Sequence, residues 1–371
     1  IVYEKSFGHF TYDDKEPVYL HDLYDIASVT KVAATTPTVM RLYKEGMIDI
    51  HKTLGDYLPW LRGSNKQHMV IDRVMAHQAG LQSWIPFFQK TIRAYDDGSL
   101  QMEPDVYCDE PSLQYCVPVA HGLYLDNTYV DSIHRQIYIS PLNNDGSYVY
   151  SDLGFIMLAE IIKNLTGVSL DHYVDSVFYT PMGLHRIGYK PLQRFLPDEI
   201  VPSEIDTYFR CQVLRGFVHD MGCAMLGGVS GHAGVFTDAE DLAIMFQMYM
   251  NGGSYGGRDY LDPDIIKLFT TRYHNGTRRG LGFDMKELEP GKKVLTAHEA
   301  SDATYGHTGF TGTCVWNDPE HQLIYVFLSN RTYPTMRNNG LQNHAIRERI
   351  HSRAYKAIEG FKGYTIEAIQ G

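Results

Sequence analysis

The stretch SDLGFIMLAEIIKNLTG, residues 151–167, constrains the fold more than any other part of the chain. Its apolar residues recur at helical spacing and Gly167 ends it, which predicts an amphipathic helix whose apolar stripe has to be buried against other elements. Those other elements change character along the chain. Residues 1–12 alternate as a strand. Residues 28–46, SVTKVAATTPTVMRLYKEG, read as a helix with Val32, Val39, Leu42 and Tyr43 among its apolar positions and Gly46 as its stop; Pro37 should kink it or mark a change of environment. A further helix is predicted over 238–253 with Asp238 as its cap. Residues 306–331 read as two strands joined by a turn at Asn317–Glu320, and 343–358 as a closing helix. Residues 47–140 mix short helical pieces with long loops rich in Pro, Tyr and Asp, the kind of excursion that builds a cleft.

This order predicts an α+β chain whose termini share one antiparallel sheet flanked by helices, with a mainly helical middle inserted. We expect one catalytic-sized unit over 1–371, with a sheet subdomain from 1–50 and 220–371 and a helical subdomain over 51–219. The net charge of −11 and the absence of a basic run exclude a nucleic-acid binder, and no segment approaches the roughly 18 uninterrupted apolar residues of a membrane span. The start IVYEKSFGHFTY has neither an initiator Met nor a signal-peptide pattern, so we expect a processed protein or a domain of something longer. The five cysteines show no zinc spacing; buried free thiols are expected, with a Cys108–Cys116 disulfide as the alternative.

Three short motifs carry chemistry. Ser28 and Lys31 stand at i and i+3, on one face of a first helical turn, where free N–H groups and the helix dipole favour a developing oxyanion and a lysine that gives up its proton. A neutral lysine beside a serine hydroxyl activates a poor nucleophile without histidine, whereas a serine cap followed by a solvated lysine would do nothing. Tyr150–Ser151–Asp152 immediately precedes the 151–167 helix; the tyrosine can relay protons and Asp152 can bond Lys31. Gly306–His307–Thr308–Gly309 opens a strand whose glycines let a peptide-like ligand approach the backbone.

In this order, Ser-x-x-Lys, Tyr-x-Asp and His-Thr-Gly resemble the three boxes of the serine β-lactamase and penicillin-binding protein superfamily, in particular its class C, DD-peptidase and esterase branch. DLYDIASVTKVAATTPTVMRLYKEGMIDIHKTLGDYLP, VMAHQAGL and YSDLGFIMLAEIIKNLTG carry the likeness along the chain. RGFVHDMGCAMLGGVSGHAGVFTDAEDLA and GHTGFTGTCVWNDPEHQLIYVFLSNRTYP look like the β-lactamase-type domains that follow a family 3 glycoside hydrolase in Bacteroidetes proteins. Related stand-alone proteins work in muropeptide recycling. The resemblance implies a β-lactamase/transpeptidase-like fold and an acyl-enzyme at Ser28, with Lys31 taking its proton and Tyr150 serving the leaving group. The N–H groups of Ser28 and Phe310 would form the oxyanion hole. His307, Thr308, Gly309 and Asp152 would contact substrate, and His232 is a further candidate.

The resemblance also implies a muropeptide or other small-molecule substrate, a fused or associated family 3 glycoside hydrolase, a periplasmic or otherwise extracytoplasmic address, and no cofactor. DD-carboxypeptidase, muramoyl-peptide amidase and esterase share this machinery; a non-catalytic domain that binds peptidoglycan fragments is the alternative of another class. Two departures stand out. His307 occupies a place where β-lactamases carry Lys, which makes strong penicillinase activity doubtful. Asp152 stands where Asn is more usual, and a carboxylate beside Lys31 favours the ammonium. Either Asp152 turns away or Tyr150 carries more of the base role. Ser230 in GGVSGH lacks the last glycine of a nucleophile elbow, and His219–Asp220 reads as structural or site-lining. No HExxH or comparable spacing is present, so no catalytic metal is expected.

Overall fold

The structure, a computed structural model, describes residues 1–13, 15–97, 100–143, 148–274 and 277–370. After a two-residue strand, β1 (Tyr24–Asp25), the chain enters one helical run that changes pitch twice. A 3-10 turn at Ala27–Val29 leads to a π-helical turn at Lys31–Thr35 and then to α1, Thr36–Lys44. Pro37 explains the second change. It has no N–H to offer the carbonyls of the preceding turn, and these accept tyrosine hydroxyls instead. Tyr249 donates to Val32 O at 2.8 Å and Tyr179 to Ala33 O at 3.0 Å.

The helix expected over 151–167 is α2, Leu153–Thr166, ended at Gly167. Its buried residues, among them Leu153, Phe155, Leu158, Ile161 and Ile162, join the side chains of α1 in the main core. A small antiparallel sheet pairs β1 with a later strand, β3 (Val235–Thr237), and β3 with β2 (Gly188–Tyr189). Past the short helix α3, Met221–Met225, the helix expected over 238–253 is α4, Ala239–Met250; the Asp238 carboxylate caps it by accepting from Asp241 N–H at 2.9 Å.

The principal sheet is an antiparallel meander of β4 (Asp284–Met285), β5 (Tyr305–Thr308), β6 (Cys314–Asp318) and β7 (Leu323–Phe327). Strand alternation covers it on both faces. On one face Val315 enters the main core and Asn317 donates to Phe246 O of α4. On the other, Trp316 packs with Tyr325, whose hydroxyl reaches Arg347 O in the last helix, α5 (Ile346–Gln370). Tyr355 of α5 donates to Asp318 at 2.6 Å.

Several expectations need correction. Residues 1–12 form no strand: Ile1, Val2, Tyr3 and Phe7 are exposed, and pairing is limited to one bridge, His9 to Pro17. A strand needs a neighbour as well as alternation, so the termini do not share the principal sheet. Residues 306–331 contribute three strands, because Gly306, His307 and Thr308 of GHTG belong to β5, and the tight turn falls at 319–322. The excursion holds strands as well as helices, at Ile92–Ala94, Leu100–Met102, Tyr107–Cys108, Tyr115–Ala120 and Leu123–Asp126. Cys108 and Cys116 sit on strands separated by the Leu123–Asp126 strand, and all five cysteines are free thiols. Among the described residues no single helix is long and apolar enough to cross a membrane.

Candidate active site

The half-buried Ser28 sits in the middle of the 3-10 turn, directly after a strained residue: Ala27 has a left-handed backbone, φ +47°. That conformation is disfavoured by about 1 kcal/mol or more for a residue with a Cβ. Asp25 sustains it. One carboxylate oxygen accepts from Ala27 N–H at 2.8 Å and the other from His219 N–H at 2.6 Å. The nucleophile turn is also tied to the turn after β5, since Thr311 donates to Asp25 O (2.6 Å) and Thr313 to Ile26 O (3.1 Å).

Lys31 opens the π-turn and is fully buried, with Nζ 3.1 Å from Ser28 Oγ, 2.7 Å from Asp152 Oδ1 and 3.0 Å from the His232 carbonyl. Asp152 therefore points at the lysine. Burial alone would push Lys31 down, but Asp152, with Tyr150, outweighs it and the net direction is up: the resting side chain is an ammonium without a lone pair. Tyr150, at the entry to α2, places Oη 2.8 Å from Ser28 Oγ. Its burial raises it above the ordinary phenol, with Lys31 pulling partly back, so Tyr150 rests protonated.

His307 and Thr308 end β5 and Gly309 follows directly. The His307 ring is buried 5.9 Å from the Tyr150 ring, with Nε2 accepting from Arg279 (3.2 Å) and Nδ1–H donating to Thr308 O (2.8 Å). Burial, then the Arg279 charge, holds this imidazole well below its ordinary range, so it is neutral. Gly309 has no room for a Cβ, which would overlap Ile26 O and the Thr313 hydroxyl. The Gly309 carbonyl accepts from Gly312 N–H at 3.0 Å, and this orients the peptide that carries the Phe310 N–H. The Phe310 ring is 50% exposed at the mouth, backed by the Arg331 guanidinium at 4.5 Å.

The structure brings Ser28, Lys31, Tyr150 and Asp152 together with the His307–Phe310 turn. It does not bring the His232 side chain to the cleft. Both its nitrogens are engaged inward, Nδ1 with Ser230 Oγ (2.8 Å) and Nε2 with Asp220 Oδ1 (2.7 Å), and what the residue offers the site is its carbonyl, to Lys31. Ser230, His232 and Asp220 form a string like a hydrolytic triad, but Ser230 is 1% exposed and no substrate reaches it. Asp220 also caps α3 through Cys223 N–H, and His219 pairs with Glu204 at 2.9 Å. Among the described residues no group of three or more His, Cys, Asp or Glu could hold a metal ion.

Sequence reading missed Arg279. It is 3% exposed, donates to Tyr148 Oη (2.8 and 3.0 Å), faces Asp284 at 3.4 Å and lies 5.2 Å from the Tyr150 ring centre. Its only sequence signal is a pair of arginines before a glycine, at no diagnostic distance from the three motifs.

Comparison with known proteins bears on this site. The family described as Beta-lactamase matches residues 1–347. A Salmonella heidelberg (strain SL476) protein named "Putative D-alanyl-D-alanine carboxypeptidase" is 30% identical over 370 residues, covering 91% of this chain and 78% of its own length. The like-named Salmonella typhimurium protein matches to the same extent. Among solved structures, an octameric penicillin-binding protein homologue from Pyrococcus abyssi superimposes with a TM-score of 0.61 at 17% identity, covering 92% of this chain and 70% of that one. EstCE1, a hydrolase with promiscuous acyltransferase activity, gives 0.61 at 17% identity over 93% and 88%. At such identities the two structures show a shared fold.

Proposed function

The chain belongs to the β-lactamase family of serine hydrolases, and from that premise we propose that it cleaves a peptidoglycan-derived amide or a related ester through an acyl-enzyme at Ser28. The observation that carries this reading is the convergence on Ser28 Oγ of Lys31 Nζ at 3.1 Å and Tyr150 Oη at 2.8 Å. Because Lys31 is held as an ammonium, Tyr150 is the proton carrier. Ser28 Oγ attacks the carbonyl carbon while its proton passes to Tyr150 Oη, and Tyr150 passes its own phenolic proton to the departing nitrogen or oxygen. The phenol ends neutral. Negative charge on the carbonyl oxygen is met by the N–H groups of Ser28 and Phe310, and the Lys31 ammonium steadies the serine oxygen. In deacylation a water occupies the place of the leaving group and the protons run in reverse.

The carboxypeptidase naming of the Salmonella relatives supports a D-alanyl-terminated peptide as one substrate, with amidase and esterase action on the same machinery. This reading implies work outside the cytoplasm, beside or joined to a family 3 glycoside hydrolase. A fluorophosphonate probe followed by intact mass should add one adduct to the wild type and none to Ser28→Ala; equal labelling of both would remove Ser28 as the nucleophile. Defined muropeptides then separate the substrates. Loss of terminal D-Ala means carboxypeptidase, release of the whole peptide means amidase, and turnover of neither while simple esters are cleaved means esterase.

A further inference from the structure

His77 lies just beyond the short helix Ile71–Met75, and nothing in the chemistry above uses it. Its backbone is left-handed (φ +57°), a conformation that Gly, Asn and Asp adopt far more readily. From there it grips both chain neighbours of Tyr150. The His77 carbonyl accepts from Val149 N–H at 3.0 Å, and Nδ1 accepts from Ser151 N–H at 3.1 Å. The imidazole is 2% exposed and packs 4.5 Å from the Tyr150 ring and 5.5 Å from Phe155, centre to centre. With Nδ1 accepting, the ring proton sits on Nε2, which is buried without a partner among the described residues. An orphaned donor and a strained backbone both work against stability, so stability alone would not select this arrangement. Burial, then the charges of Arg279 and Lys31, keeps the ring neutral and Nδ1 free to accept. The base beneath it is firm: a Cβ on Gly154 would overlap Val74, so the 71–75 helix seats directly on α2.

We propose that His77 is a positioning residue for proton transfer, which fixes the backbone on both sides of Tyr150 and so aims its hydroxyl at Ser28 and the leaving group. The inference rests on Tyr150 being the proton carrier. Its signature is a dependence on the leaving group. A nitrophenolate departs without a proton and an ethoxide does not, so a misaimed Tyr150 harms the second far more.

The test uses the p-nitrophenyl and ethyl esters of N-acetyl-D-alanine with four variants. His77→Asn keeps an acceptor at the Nδ1 position and tolerates the left-handed backbone; His77→Gly keeps the backbone and loses the acceptor; His77→Ala loses both; Tyr150→Phe is the reference. Deacylation is common to the two esters, so they are compared in kcat/KM, which reports acylation: expected are a fall of about 100-fold on the ethyl ester for His77→Gly and His77→Ala, a fall below about 10-fold on the nitrophenyl ester, and His77→Asn within about 3-fold of wild type on both. His77→Gly opens a cavity and leaves the Ser151 N–H unpaired, so its melting temperature falls; full fluorophosphonate labelling of Ser28 below that transition shows that the assayed protein is folded. Equal falls on the two esters, or His77→Asn as impaired as His77→Ala, overturns the positioning role. If Tyr150→Phe cleaves the ethyl ester like wild type, Tyr150 is not the proton carrier and the inference falls with that reading.

Discussion

At the scale of single residues, the question of how a buried lysine serves a serine comes down to Asp152. Its oxygen 2.7 Å from Lys31 Nζ opposes the effect of burial and holds the charge on the lysine past the ordinary value of 10.5. Since the folded value is raised, the ammonium is present throughout the neutral range and is lost only as pH climbs beyond it. In Asp152→Asn the carboxylate is gone and burial, the largest influence, acts downward. The alkaline limb of kcat on an ethyl ester should then move to lower pH by at least about one unit. Rate profiles from pH 6 to 11 check this; an unmoved limb means that Asp152 does not set the lysine's charge. Much of this was legible in the primary structure. Ser28 and Lys31 are one turn apart, so local geometry predicts their approach; that Tyr150 and Asp152 meet them across more than 120 residues was implied by the family resemblance, which left the direction of Asp152 open. Arg279 and His77 were not legible, because each reaches Tyr150 only through the packing of segments that no short spacing relates.

At the scale of elements, the run from Ala27 to Lys44 shows how one proline shapes a site. Pro37 leaves carbonyls of the π-turn without an N–H, and the hydroxyls of Tyr179 and Tyr249 fill their places from other helices. Tyr179→Phe and Tyr249→Phe each leave a buried carbonyl short of a partner and should destabilise the fold by about 1–3 kcal/mol. Urea titration measures it, and a loss below about 0.5 kcal/mol in both would show that the π-turn needs neither hydroxyl. The sequence flagged a disturbance at Pro37 but not its kind, since the hydroxyls come from residues 146 and 217 positions away. The opposite error occurred at residues 1–12. Alternation is necessary for a strand, yet pairing decides it, and a neighbour is a property of the fold rather than of the segment.

At the scale of the whole molecule, α4 and α5 clasp the principal sheet from its two faces, and Asp318 is one of the polar tethers of α5. Burial works against its charge, but Ser301, Tyr355 and His321 outweigh it and hold the carboxyl below the ordinary 3.8. A depressed carboxylate stabilises the fold above the unfolded value, and that contribution fades as pH falls through 3.8 toward the folded one. Asp318→Asn should therefore cost about 1–3 kcal/mol at pH 7, with the gap to wild type narrowing toward pH 3; hydrogen exchange along α5 and urea midpoints against pH test this, and a gap constant with pH removes Asp318 as a tether. The helices beside the meander were readable from their 3.6-residue patterns, but its strands only in part: two were expected over 306–331 where three stand, and β4 and the short strands of 92–126 were missed, each being too brief to show a period. A last property concerns mechanics. The two amides assigned to the oxyanion hole come from parts of the chain that lie far apart, but Thr311 and Thr313 fasten one turn to the backbone of the other. The gap between the amides is thus a gauge set by two bolts rather than by the distance between layers. Breathing of the cleft, by heat or by a bulky substrate, would widen its rim while the gauge keeps its tolerance.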